Sequence, residues 1–237
     1  MQRLDKFISN LGYGSRKQIK KLLKDEYVLV NGELALDGQI KINFGDIISV
    51  GEENIEYKKN LYLILNKPAG YVTSNKPEAS YASYLELLVD YPYANLVNPV
   101  GRLDADSTGL LFLTNNGDLT HNLISPKKNL FKKYLITLEN NLSEKDEEKI
   151  KSGVTINKDT PKKYLTKPAL LEKIEDKKYY ISISEGKFHQ VKKMFEAINN
   201  KVLTLHRVAI GGLELGDLKS GEFQELSSEQ INEIFNK

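Results

Sequence analysis

The stretch from Gly101 to Asp118, GRLDADSTGLLFLTNNGD, constrains this 237-residue chain more than any other. Four successive apolar residues, Leu110 to Leu113, follow Gly109 and end at the turn formers Asn115, Asn116 and Gly117. A short apolar run closed by turn residues predicts a buried strand. The polar loop in front sets Arg102, Asp104 and Asp106 at the edge of that strand. A carboxylate on a rigid edge can serve as a nucleophile, a base or a group that repels phosphate. Asp-x-Asp and Ser-Thr-Gly suit a plain turn equally well, so the local residues leave both readings open.

Around this segment the pattern is mixed. Further strand-like runs cover 61–65, 134–138, 179–184 and 202–210, and helix-like runs lie near 118–124, 143–152, 188–199 and 227–235. In the run 188–199, Val191, Met194, Phe195 and Ile198 form one apolar stripe, which predicts a core-facing helix. Strands and helices do not alternate strictly, which favours an α+β domain over a doubly wound one.

The first 50 residues have a different character. Leu4, Phe7, Ile8 and Leu11 share one helix face, and Gly12 and Gly14 end that helix. No strand precedes these glycines, so they are a turn and not a phosphate loop. Ser15 and Gln18 form a capping box for a second helix. Its apolar positions are Ile19, Leu22 and Leu23, and its other face carries Arg16, Lys17, Lys20, Lys21 and Lys24. Asn31-Gly32 then signals a hairpin after the short β-rich run 27–30.

Charge is divided along the chain. The formal total is only +2, yet residues 1–24 hold seven cations against Asp5, while residues 213–237 hold six acids against two lysines. A basic head on a near-neutral chain suggests either a polyanion-binding module or a solvated helix face. Composition removes other classes. With no cysteine, disulfides, thiolate metal sites and a thiol nucleophile are excluded. His121, His189 and His206 match no common zinc spacing. No apolar run could span a bilayer, and the N-terminus lacks the apolar core of a signal peptide, so a cytoplasmic location is expected. Only four arginines occur (Arg3, Arg16, Arg102 and Arg207), which suggests sites where a planar fork is needed.

The N-terminal pieces R-L-D-K-F, S-R-K-Q-I-K-K-L-L and V-L-V-N-G resemble the S4 RNA-binding domain. The stretch 101–118 resembles the signature of the RsuA-type pseudouridine synthases. Asn66-Lys67-Pro68-Ala69-Gly70, Ser125-Pro126 with Lys133-Tyr134, Glu185 to Met194, Leu205-His206-Arg207 and Ile210-Gly211-Gly212 agree with that family in order. The resemblance implies an S4-like domain of two helices plus a small sheet at 1–52 and a linker at 53–60. A catalytic domain at 61–237 would follow, with a mostly antiparallel sheet flanked by helices.

It also implies a cofactor-free, metal-free isomerisation of a uridine in 16S rRNA, free or in a partly assembled small subunit, by a monomer. Alternatives are the same reaction on 23S rRNA, an inactive S4-type RNA-binding factor, and a glycoside or nucleoside hydrolase. The hydrolase would need a second acid, for which Asp106 is too close in sequence.

By resemblance Asp104 is the catalytic carboxylate, acting as nucleophile or in proton abstraction at the sugar. Tyr134 would stack on the uracil and relay a proton. Lys192 would pair with Asp104, since a nearby cation favours the charged form of a carboxylate. Taken alone, Tyr134 is a core aromatic and Lys192 a solvated helix lysine. Arg102 would lie where the nucleotide is extruded. Arg3, Arg16, Lys17, Lys20, Lys21, Lys127, Lys128 and Lys132 would contact the RNA backbone, whereas His189 and His206 are expected to be structural or RNA-facing.

Overall fold

The computed structural model describes residues 1–25, 27–125, 128–158 and 160–235. They form two compact units: one of Met1–Leu61, Leu88–Asn98 and Leu113–Asn116, and one of Tyr62–Leu87, Pro99–Phe112 and Gly117 onward. Among the described residues no helix is long and apolar enough to cross a membrane.

In the first unit, helix α1 (Leu4–Leu11) buries Leu4, Phe7, Ile8 and Leu11, the four positions spaced for one face. Gly12 ends it at φ 107°, a left-handed geometry that glycine adopts without a Cβ clash. Helix α2 (Arg16–Lys24) starts at the Ser15/Gln18 box, where Gln18 Oε1 accepts the Ser15 N–H at 2.8 Å. It buries Ile19 and Leu23 and leaves all five of its cations exposed. Val28–Val30 and Glu33–Leu34 form the hairpin around Asn31-Gly32, both with positive φ as a two-residue turn requires.

Two boundaries depart from the sequence reading. Residues 53–60 are not simply a linker, because Glu53–Glu56 form an edge strand antiparallel to Ile47–Val50. Only Ile55 points inward, so three of its four residues are polar and the segment looks like a loop in sequence. Leu88–Asn98 also belongs with the N-terminal residues: Tyr93 donates its hydroxyl to the Glu56 carbonyl, and Asn95 donates to that of Leu11.

The second unit is built on one large sheet. Its strand order is Leu170–Glu175, Lys178–Ile183, Lys132–Leu138, Val202–Ile210, Thr108–Thr114, Tyr62–Lys67, Phe223–Glu225. Thr108–Thr114 pairs in parallel with Val202–Ile210, whereas Val202–Ile210 with Lys132–Leu138 and Lys132–Leu138 with Lys178–Ile183 are antiparallel. Leu110, Leu111, Phe112 and Leu113 are all fully buried. Each such side chain contributes about 1.5–3 kcal/mol relative to exposure, so this strand is a stiff base for the loop in front of it. Helix α3 (Gly117–Ile124) and helix α6 (Ser228–Glu233) pack Leu119, Leu123 and Ile231 into the same core. Helix α4 (Glu144–Ser152) buries only Ile150.

Helix α5 (Gln190–Glu196) buries Val191, Met194 and Phe195, as the stripe predicts. It begins two residues later than the periodicity suggests. His189 sits at φ 53°, ψ 32°, and a left-handed residue cannot extend a right-handed helix.

Candidate active site

The loop carrying Asp104 is fixed from three directions. Leu103 donates its N–H to Thr73 Oγ1 at 3.1 Å, and the same hydroxyl donates back to the Leu103 carbonyl at 2.8 Å. The Gly70 N–H reaches the Ala105 carbonyl at 2.8 Å, and the Ser107 N–H reaches that of Asp104 at 3.1 Å. Gly70 is itself positioned by Lys67, which is fully buried and donates to the carbonyls of Pro68 and Tyr71 at 2.8 Å each. Burial pushes the Lys67 ammonium down to about 8 against the pull of Asp106 and Asp104, and Arg207 adds to the lowering. The Asn-Lys-Pro-Ala-Gly segment thus shapes a turn that holds the Asp104 loop.

Lys192, on α5, joins that loop to the helix. Its Nζ lies 3.1 Å from Asp104 Oδ2 and 2.6 and 2.9 Å from the two oxygens of Asp106. Burial alone would lower Lys192, but hydrogen bonds to Asp106 and Asp104 outweigh it and hold the ammonium above its ordinary value. Burial alone would likewise raise Asp106, but Lys192 holds that carboxyl below its usual range. The Asp104–Lys192 pair expected from the resemblance is present, and Asp106 shares the cation. In the sequence Asp106 reads only as part of a turn and as too close to Asp104 to be a second acid. The second oxygen of Asp104 faces His189, with Nε2 3.3 Å from Oδ1.

Beside this cluster a cleft of about 360 Å³ opens, lined by Gly101, Arg102, Lys132, Tyr134 and Arg207 among others. Asp104 is not a wall residue of the cleft; it lies two residues beyond Arg102, which is. Tyr134 is buried and stands opposite Arg207 in the sheet, and Arg207 in turn stands opposite Gly109. One strand therefore separates the Tyr134 strand from the one that the Asp104 loop enters.

Arg207 is also buried. Its Nε donates to the Leu110 carbonyl at 2.7 Å, while Nη2 has no hydrogen-bond partner among the described residues. Lys132 turns toward the cleft instead of standing on a solvated surface. Its Nζ donates to the Leu130 carbonyl at 2.7 Å, and burial, with Arg207 adding to it, pushes its ammonium down to about 8. Glu185 closes the far wall, where it accepts from the Tyr164 hydroxyl, the Lys167 N–H and Gln190 Nε2 at 2.6–2.9 Å.

The other expected RNA-facing residues are dispersed. Arg102 and Lys128 are exposed, and Lys127 lies outside the described residues. Arg16, Lys17, Lys20 and Lys21 line the outer face of α2. Arg3 is engaged within its own helix start, donating to both oxygens of the buried Asp5 at 3.0 and 2.6 Å. His206 is half-buried, with Nδ1 2.8 Å from Thr108 Oγ1.

A carboxylate on a clamped loop, a cation on it, and a cleft walled by a tyrosine and further cations fit a reaction on an extruded nucleotide. The profile of the RNA pseudouridylate synthase family matches residues 61–197, and that of the S4 domain matches residues 2–48. The chain belongs to the RNA pseudouridylate synthase family. It is 40% identical to the ribosomal small subunit pseudouridine synthase A of Pasteurella multocida, over 99% of this chain and 100% of that protein. It is 37% identical to the Escherichia coli protein of the same name, over 98% and 99%. A Bacillus subtilis protein described as an uncharacterized RNA pseudouridine synthase is 36% identical, over 97% of both chains. The crystal structure of a pseudouridylate synthase superposes with a TM-score of 0.68 at 37% identity, covering 99% of this chain and 100% of that one.

Sequence reasoning assigns no role at this site to Lys67 or Arg207, and only a structural or RNA-facing one to His189. Each lies in a segment that carries the family resemblance, yet nothing in its local pattern separates it from an ordinary surface or strand residue. The scarcity of arginine was the one signal that pointed to Arg207.

Proposed function

We propose that this enzyme isomerises one uridine of the small-subunit 16S rRNA, with Asp104 acting at the ribose, Tyr134 against the uracil and Lys192 aiming the carboxylate. The carrying observation is the Asp104–Lys192 contact at 3.1 Å on a clamped loop beside the Tyr134 cleft. In the reaction the N1–C1′ bond breaks, the uracil turns and a C5–C1′ bond forms. A proton leaves C5 and one is taken up at N1, so no oxidant or phosphoryl donor is consumed. A fixed carboxylate can capture or stabilise a cationic sugar, whether by attack or by proton abstraction. The target must leave its stack to reach it, and Arg102, which lines the cleft, would occupy the vacated space or hold a phosphate.

The 16S assignment is supported by full-length similarity to proteins named small subunit pseudouridine synthase A. It implies a cytoplasmic enzyme, which we take to be a monomer. Purified protein incubated with 16S and 23S transcripts is expected to form pseudouridine in the 16S RNA. Pseudouridine in the 23S RNA alone would assign it to the large subunit.

The N-terminal module would dock the RNA backbone through α2. Replacing Arg16, Lys17, Lys20 and Lys21 together by Gln is expected to weaken RNA binding. The slope of log K against log salt should flatten by about 0.7–0.9 for each phosphate that these cations neutralise. Substitution is a better test than deletion, because residues 88–98 pack within the same unit. An unchanged salt slope would remove α2 from the interface.

A further inference from the structure

Phe188 is out of place for a folded core: it is 73% exposed. Its ring is not loose, however. It stacks on His189 with centroids 3.8 Å apart and planes within 20°, and His189 Nε2 is the group 3.3 Å from Asp104. Phe188 also lines an open groove of about 780 Å³, together with Tyr164, Lys162, Lys163, Lys187 and Lys193. No acid lines this groove among the described residues. Tyr164 and Lys187 are walls of both the groove and the Tyr134 cleft, so the two adjoin at these side chains. The aromatic rings and cations are already interleaved, with Lys193 Nζ 4.9 Å from the Phe188 centroid and Lys187 Nζ 4.6 Å from that of Tyr164.

We infer that this groove is a subsite for the single strand flanking the target uridine, in which Phe188 stacks on one neighbouring base. Lys187 and Lys193 hold the adjoining phosphates. The inference rests on the reading that the nucleotide reacts at Asp104, and it extends the RNA path beyond the cleft. An exposed aromatic in a cationic groove binds single strands by stacking, which tolerates any base because every base has a π-face. A lysine resting on an exposed ring contributes only about 0.5–1 kcal/mol, so Lys193 can yield the ring to a base and move to a phosphate. The backing by His189 keeps the platform flat and ties it to the Asp104 cluster.

The test uses the full chain and a single-stranded oligouridylate dodecamer carrying one 2-aminopurine, at fixed salt. Wild-type protein is expected to bind the probe and quench its fluorescence. Phe188→Ala should weaken binding about ten- to a hundredfold and abolish the quenching, and Phe188→Tyr should restore both. The double variant Lys187→Gln, Lys193→Gln should keep the quenching and flatten the salt slope by about 1–2. Unchanged affinity and quenching in Phe188→Ala would overturn the subsite, as would a wild-type protein that leaves the probe unquenched. A wrong rRNA assignment would show differently, as absent turnover on 16S RNA with the dodecamer still bound and quenched.

Discussion

Asp104→Asn is expected to leave a folded protein that binds RNA within about threefold of wild type and forms pseudouridine at least about a thousandfold more slowly, the scale seen when a catalytic nucleophile is removed. Asparagine keeps the shape and one acceptor oxygen but loses the charge and the nucleophilicity that the chemistry needs. The fold tolerates the change because Lys192 retains Asp106 at 2.6 and 2.9 Å and is not left as an unpaired cation. The Asp104 side chain is also 29% exposed, so the cost in stability is at most about 1 kcal/mol.

Asp106→Asn is the control. Its side chain is 68% exposed, and its carboxylate meets Lys192 on the solvent side of the loop. Turnover should fall less than about tenfold, the scale of an exposed ion pair worth about 1 kcal/mol. Rates on a 16S transcript and Kd at fixed salt for both variants separate the roles. Equal losses would make the two acids a single unit, and an active Asp104→Asn would remove Asp104 from the chemistry.

Gly109→Ala is expected to be strongly damaging to the second unit. Gly109 has φ 99°, and a Cβ there would stand 2.2 Å from the Arg207 carbonyl oxygen and 2.7 Å from its nitrogen. Those atoms are backbone of the neighbouring parallel strand, so no rotamer change relieves the clash. Left-handed strain of about 1–2 kcal/mol and overpacking of about 1–3 kcal/mol add to a loss of roughly 2–5 kcal/mol. At this chain size that lowers Tm by about 4–20 °C. Activity should fall with it, because the shift reaches Arg207 in the cleft and the loop bearing Asp104. Gly101→Ala isolates the strain, since φ is 77° there and nothing lies within 4 Å. Thermal unfolding of the pair checks the assignment. A Gly109→Ala protein as stable as Gly101→Ala would contradict the close strand approach.

Much of this was legible because local pattern and tertiary role agree. The α1 stripe, the Ser15/Gln18 box, the Asn31-Gly32 turn and the run Leu110 to Leu113 each dictate one conformation through their own residues. What escaped depends on partners distant in sequence. Glu53–Glu56 is a strand only because Ile47–Val50 offers an edge. Lys67 sits in a strand where lysine normally signals exposure, and it is buried because its ammonium finds two carbonyls of the following turn. His189 falls within a helical periodicity, and its left-handed backbone, which starts α5 late and turns its ring to Asp104, leaves no trace in spacing. The contact of Lys192 with Asp104 is the one the resemblance implies, but its second carboxylate, Asp106, carries no such signal.

Pseudouridine mapping of both rRNAs in a deletion strain, complemented with wild type or with Asp104→Asn, tests the proposed activity most directly. We expect one 16S position to lose pseudouridine on deletion, regain it with wild type and stay unmodified with Asp104→Asn. An intact 16S map with a position lost from 23S, or restoration by the Asp104→Asn protein, would contradict it.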